Sequence, residues 1–228
     1  MGRIAWLALV CGCSYSAPTP VQTPDTPGQL DPDASPDSMT VDPDGRPDAP
    51  LPPPTTSDFV ASADTWIDSV APNTSFANDT SLLTDGGPPA VTLIRFDLSG
   101  LPTITEVISA ELHVFTTTDP GAGVTVFPVL EAWSETTATW NTRASGQPWT
   151  VAGANPPSRG TVVIAEFTPD LANTEFPSAF DAATVQGWVA SPAANLGIAI
   201  TSVNADGPKF RTRLSLQGKP FLRVVHRP

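Results

Sequence analysis

The clearest signal along the chain is a two-residue alternation of apolar and polar positions, recurring in short runs through its last three-quarters. The run around Thr92 to Asp97 sets Ile94, Phe96 and Leu98 on one side and Leu93, Arg95 and Asp97 on the other. Val107 to Thr116 alternates Ala110, Leu112, Val114 and Thr116 with Glu111, His113 and Phe115. Successive side chains of a strand point to opposite faces, so these runs predict half-buried strands. Further strands are predicted at Ala63 to Ile67, Ser81 to Thr84, Gly123 to Leu130, Thr161 to Phe167, Gly197 to Val203, Pro208 to Leu214 and Phe221 to His226, divided by Gly, Pro, Asn and Asp turns. One stretch has a helical period instead. Asp181 can cap Ala182 to Ala190, where Val185, Trp188 and Val189 share a face, before Ser191-Pro192 stops it. Gly187 weakens that helix by about 1 kcal/mol relative to alanine. The expected fold is all-β: nine or so strands in two antiparallel sheets, a jelly-roll-like β-sandwich with one short helix, over residues 57–228.

Residues 1–13 follow a different pattern. Arg3, the apolar segment Ile4 to Val10 and the small-residue exit Val10-Cys11-Gly12-Cys13 have the three-part layout of a secretory signal, and the apolar run is far short of the ~20 residues of a membrane-spanning helix. Val10, Gly12 and Cys13 resemble the lipobox of bacterial lipoproteins, in which the cysteine is diacylated and becomes the new N-terminus. The resemblance implies lipidation at Cys13, and Ser14 after it favours the outer membrane. Cys11 would leave with the signal, so the mature domain has no disulfide and is held by its core. More than one acyl chain makes such anchoring stable.

Composition changes again at Ser14. From there to Thr56 the chain has twelve Pro, seven Asp, one Arg and neither Trp nor Phe, too little apolar surface to offset the entropy of ordering. Repeated Asp-Pro and Pro-Asp pairs add like-charge repulsion to polyproline stiffness. Residues 14–56 are expected to be a disordered, extended linker that carries the domain away from a surface. The formal charge of the whole chain is −12, which excludes a nucleic-acid binder working by bulk charge.

Within the domain a series of motifs runs in order. They are Ala63-Asp64-Thr65-Trp66-Ile67-Asp68, Asn73-Thr74-Ser75-Phe76, Leu83-Thr84-Asp85-Gly86-Gly87, Leu93-Ile94-Arg95-Phe96-Asp97-Leu98-Ser99-Gly100-Leu101-Pro102 and Ala110-Glu111-Leu112. Trp133-Ser134-Glu135-Thr136-Thr137-Ala138-Thr139-Trp140-Asn141, Val185-Gln186-Gly187-Trp188-Val189, Asn195-Leu196-Gly197-Ile198, Phe210-Arg211-Thr212-Arg213 and Pro220-Phe221-Leu222 follow. In this order and spacing they resemble the DNRLRE domain, a module of secreted and cell-surface proteins whose relatives include carbohydrate-binding module family 96, attached to alginate-degrading enzymes. The resemblance implies a β-sandwich whose best-supported activity is binding carbohydrate. Two positions depart from it: Leu214 stands where relatives often carry Glu, and Ala77 where they often carry Gly.

Catalytic chemistry fits the residues poorly. His113 and His226 fall on different predicted strands and belong to no nucleophile, zinc or P-loop motif. Glu135 between Trp133 and Trp140 has the look of an acid with aromatic walls, but the two tryptophans are expected to be packing residues. Charge placement is more informative. The domain has nine basic and sixteen acidic residues, yet Lys209 to Pro228 holds six basic residues and no acid. On a strand, Lys209, Arg211 and Arg213 would project from one face at steps of roughly 6.5 Å, with Phe210, Thr212 and Leu214 opposite. Guanidinium groups hold carboxylates or sulfates bidentately, so this ladder suits an acidic extracellular polysaccharide, unless its side chains pair with Glu111, Glu131 or other acids. Trp149 beside Pro148 could be a sugar-stacking platform or could pack under its loop. No cofactor is called for, although Asp64, Asp68, Asp85 and Asp97 could supply oxygens to a structural Ca²⁺, turn and capping roles being the alternative. Two functions follow: a non-catalytic polysaccharide-binding module on an exported, lipid-anchored or extracellular protein that meets the membrane only through its anchor, or a structural surface protein whose sandwich is a spacer or docking unit. A hydrolase is a distant third.

Overall fold

A computed structural model of the chain describes residues 50–118 and 121–228. The expectations for a signal, a lipidated Cys13 and most of the linker lie outside these residues. The first strand begins earlier than the alternation suggested: Thr55 and Thr56, assigned above to the linker, already pair with His226 and Val225.

Thirteen strands lie among the described residues: β1 (Thr55–Asp68), β2 (Ser81–Leu83), β3 (Asp85–Gly86), β4 (Pro89–Phe96), β5 (Glu106–Phe115), β6 (Val124–Pro128), β7 (Thr142–Ala144), β8 (Gln147–Pro148), β9 (Ala165–Phe167), β10 (Glu175–Phe180), β11 (Ile198–Ser202), β12 (Lys209–Arg211) and β13 (Phe221–Arg227). One α-helix, α1 (Ala182–Ala190), lies between β10 and β11, followed by a single 3-10 turn at Pro192–Ala194. All pairings are antiparallel, as expected for the all-β class.

Strand β1 joins the two layers. Its first half pairs with β13, its second half with β4, and the register shifts between Ala61 and Ala63. An extra residue at such a bulge bends a strand and strengthens its twist, which lets one strand pass from sheet to sheet. One layer therefore runs β10-β5-β13-β1 and the other β1-β4-β11-β6-β9, with β3 on β4. Between them lies the larger core, where Leu112, Val114, Leu222 and Val224 from the first layer meet Ile94, Phe96, Val126 and Ile200 from the second. Phe210 of β12 and Leu82 of β2 form a two-stranded ribbon that adds both side chains to this core.

The outer face of the second layer is the main departure from the expected half-buried strands. Leu93, assigned to the outward side of its strand, is fully buried, and β4 is buried from Ala90 to Ile94 without a break. The cause is the long excursion from Val129 to Ile164, which packs Trp133, Ala138, Trp149 and Ala154 over Ala63, Ile67, Val91, Leu93 and Ala199 as a second core. Burying a side chain such as Leu93 contributes about 1.5–3 kcal/mol over leaving it exposed, so this cover is a stabilising layer.

Helix α1 forms where the period predicted. Asp181 accepts the Thr184 amide at 2.8 Å, and Val185, Trp188 and Val189 are buried. Gln186 ties it to the sheet, accepting the Val107 amide at 2.8 Å and donating to the Thr105 carbonyl at 3.0 Å. Strand β10 was not anticipated, because Pro177 interrupts its run. It lies at the end of its sheet, where a residue that cannot donate to the ladder is tolerated. Gly197, entering β11, has a φ of +89°, and a Cβ there would meet the Ile94 carbonyl at 2.3 Å. Only glycine fits both the conformation and the approach.

Candidate functional site

The cationic ladder is only partly built. Strand β12 holds Lys209, Phe210 and Arg211, and alternation there is as expected: Phe210 enters the core while Lys209 and Arg211 face outward. The strand stops at Arg211, so Arg213 is not its third rung. Thr212 turns inward and Leu214 is left exposed at 51 %, against the expectation that it would share the buried side with Phe210. Arg211 lays its guanidinium 3.9 Å from the Phe115 ring centre and donates to the Gln217 carbonyl at 3.1 Å.

Arg213 belongs to an internal network. Its guanidinium binds both oxygens of Glu135, with Nη2 to Oε2 at 2.6 Å, and its backbone amide donates to Asp64 Oδ2. Glu135 Oε1 also accepts the Asp64 amide at 3.0 Å. Burial works against the Glu135 charge, but the bonds from Arg213 and the Asp64 amide hold its carboxyl below the usual range. Glu135 is thus a structural anion rather than a proton donor. Asp64 has the opposite balance: burial outweighs the Arg213 amide and pushes its carboxyl up to about 6. Glu131 is paired with Arg143 at 3.6 Å, and Glu111 lies beside His113, so neither serves the ladder.

Trp149 is not a surface platform. It is 4 % exposed and its indole N–H donates to the Thr139 carbonyl at 3.0 Å, which satisfies the one polar atom that burial would strand. Trp133 is buried in the same layer and donates to the Leu196 carbonyl at 2.8 Å, while Trp140 is half-buried at its edge. His113 is sealed between Glu175, with Nδ1 2.7 Å from Oε1, and the stacked Phe221 ring, and His226 meets the Ser57 hydroxyl at 3.0 Å. Asp68, Asp85 and Asp97 each accept the amide two residues on, from Val70, Gly87 and Ser99, all at 2.9 Å. These are Asx turns. Among the described residues no three His, Cys, Asp or Glu side chains are grouped so as to hold a metal ion.

The feature that sequence reasoning passed over is a cleft beside Lys209. It has a volume of about 430 Å³ and is lined by Trp66, Asn78, Asp79, Ser81, Leu83 and Lys209. Trp66 is half-buried at the margin of the inter-sheet core and stacks on Phe76, with ring centres 3.9 Å apart and planes 20° from parallel. Asp79 accepts its indole N–H at 3.0 Å. The ring is therefore held in one orientation by a second aromatic and a carboxylate before any ligand arrives. Trp66 and Phe76 both stand in quoted motifs ten residues apart, but only the fold shows that they meet.

A partly exposed aromatic ring among amide, hydroxyl, carboxylate and ammonium groups offers a sugar both an apolar face and hydrogen-bonding partners. Among the described residues no helix is long and apolar enough to cross a membrane. No curated protein matches the chain. Residues 55–160, which carry β1 to β8 and most of the covering layer, match the model of carbohydrate-binding module family 96, so this stretch is similar to a family of modules that bind carbohydrate and are generally not catalytic.

Proposed function

We propose that the domain is a non-catalytic module that holds an extracellular polysaccharide at the Trp66 cleft, presented from a lipid anchor at Cys13 by the Pro/Asp-rich stalk. The observation that carries this reading is the preset ring: Trp66, fixed by Phe76 and Asp79, lines a cleft that Lys209 lines as well. Little side-chain entropy remains to be lost there on binding. Lys209 and Arg211, the two outward positions of β12, favour a glycan with acidic residues. The test is retention of the full chain on immobilised neutral, uronate and sulfated polysaccharides at low and physiological salt. Retention on an acidic glycan that falls with salt is expected, and Lys209→Met should weaken it several-fold. No retention on any of them at low salt overturns the reading.

A second reading has its own observation. Arg143, Arg213, Arg223 and Arg227 all lie against carboxylates of the same chain, as a spacer or docking unit with internally neutralised charge would have them. It gains if the domain ignores every glycan and instead copurifies with one defined surface protein in stoichiometric amount.

A further inference from the structure

Arg159 is the basic residue whose surroundings differ most from those of the paired arginines. Its backbone is fixed: it bridges to Val129, the Ser158 carbonyl accepts the Leu130 amide at 2.9 Å, and the Gly160 amide donates to Pro128 at 2.8 Å. The side chain is half-buried, with its guanidinium 5.1 Å from the centre of the Phe127 ring. Nη1 makes one long contact, 3.4 Å, to the Ala154 carbonyl, and the buried Nε has no partner. No carboxylate of the described residues lies within 4 Å of it, unlike Arg143, Arg213, Arg223 and Arg227. A charge withdrawn from water costs stability unless a counter-charge comes with it, and an aromatic ring replaces only part of that. Burial alone moves the Arg159 value, downward, in agreement with the missing anion.

Arg159 lines a cleft of about 370 Å³ together with Asp85, Trp140, Asn155, Ser202 and Val203. We infer that this cleft is a second ligand site, in which Arg159 holds the carboxylate or sulfate of an anionic sugar residue whose ring lies against Trp140. Asp85 shares the cleft and repels an anion, which sets the orientation: the acidic group goes to Arg159 and the hydroxyls to Asp85 and Asn155. Asp85 has already accepted the Gly87 amide through Oδ1, and its other oxygen bonds to no described residue. The composition repeats that of the Trp66 cleft: one half-buried tryptophan, one Asn, one Asp, one Ser and one cation. The two clefts draw on neighbouring stretches of the chain, Ser81 and Leu83 lining one and Asp85 and Gly86 the other. A polymer that engages both gains from effective concentration without any new contact. That the anion belongs to a sugar rests on the carbohydrate reading above; the anion site itself does not.

The experiment is a titration of the isotope-labelled full chain at low ionic strength with glucuronate, with inorganic sulfate and with glucose, following the backbone amides of Asn155, Ser158, Arg159 and Val203. Saturable shifts with glucuronate, sulfate or both, and none with glucose, are expected; which anion saturates tells a uronate site from a sulfate site. Arg159→Met should weaken the binding at least tenfold, whereas Lys209→Met changes it less than twofold. Should Arg159→Met fail to fold, Arg159→Lys keeps the charge but loses the planar fork and is expected to weaken binding at least fivefold. The assignment is overturned if neither anion saturates, or if a folded Arg159 variant binds within twofold of the wild type. Anion binding here without retention on any polysaccharide would sink the carbohydrate reading and leave the anion site standing.

Discussion

The two cores of this domain were written into the chain in different ways. The core between the sheets draws on alternating positions, so Ile94 and Phe96 on one strand and Leu112 and Val114 on another could be assigned to one side of their strands from spacing alone. The core on the outer face of the second layer draws on an excursion with little regular structure, whose Trp133, Ala138, Trp149 and Ala154 have no period. Strand β4 serves both, which is why it is buried on both sides. The lesson concerns function as much as stability. The second layer is covered on both faces, so its partly exposed aromatic rings lie at the borders where each core ends. Trp66 emerges at the margin of the first core and Trp140 at the margin of the second, and each opens onto a cleft with a cation.

The comparison can be broken most forcefully at Trp149. If the covering excursion is a packed layer, Trp149→Ala should cost about 3–5 kcal/mol, as for buried aromatic residues elsewhere, and urea unfolding of the domain should still be one transition. A loss under 1 kcal/mol would mean that the excursion is a flap. Next in size is the pH response of Asp64, which sits where the two layers share β1. Its value is raised on folding, from near 4 to about 6, so the stability it contributes is fully present below pH 4 and lost as pH rises through 6. A shift of this size corresponds to roughly 3 kcal/mol. Unfolding free energy should therefore climb as pH falls from 7.5 to 5, and Asp64→Asn, which keeps an acceptor for the Arg213 amide, should flatten that climb. Parallel profiles for the two proteins would show that Asp64 does not carry it. The smallest effect belongs to α1 and the inter-sheet core alone. A Cβ at Gly187 meets nothing within 4 Å, so Gly187→Ala should stabilise by about 0.5–1 kcal/mol, a rise of a few degrees in Tm. A neutral or lower Tm would mean that the helix is strained in a way its backbone does not show.

Legibility followed the range of the physics involved. Helix α1 was readable to the residue, because its cap, period and stop all act within one or two turns. Strand positions were readable wherever polar residues marked the outward side. The length of β12 was not, and with it went the third rung of the ladder: Arg213 leaves the strand because Glu135, 78 positions away in sequence, and Asp64, 149 away, bind it from the loop layer and β1. Trp149 beside Pro148 carried two readings, and only the Thr139 carbonyl facing its indole N–H decides for burial. Pro177 concealed β10, because whether a proline can sit in a strand depends on which strands flank it, and that is topology.

The chain by itself determined the antiparallel all-β class, the helix Ala182–Ala190, the acidic proline-rich stretch ahead of the domain and the outward facing of Lys209 and Arg211. Each of these is local, since side-chain alternation, helix capping and backbone entropy depend on near neighbours. Only the tertiary structure decided that Arg213 is neutralised, that Trp149 is covered, and that Trp66 with Phe76 and Trp140 with Arg159 each stand at a cleft. Those outcomes depend on which distant segments are brought side by side, and on the cost of burying a charge or an indole N–H without a partner, which no window of the sequence contains.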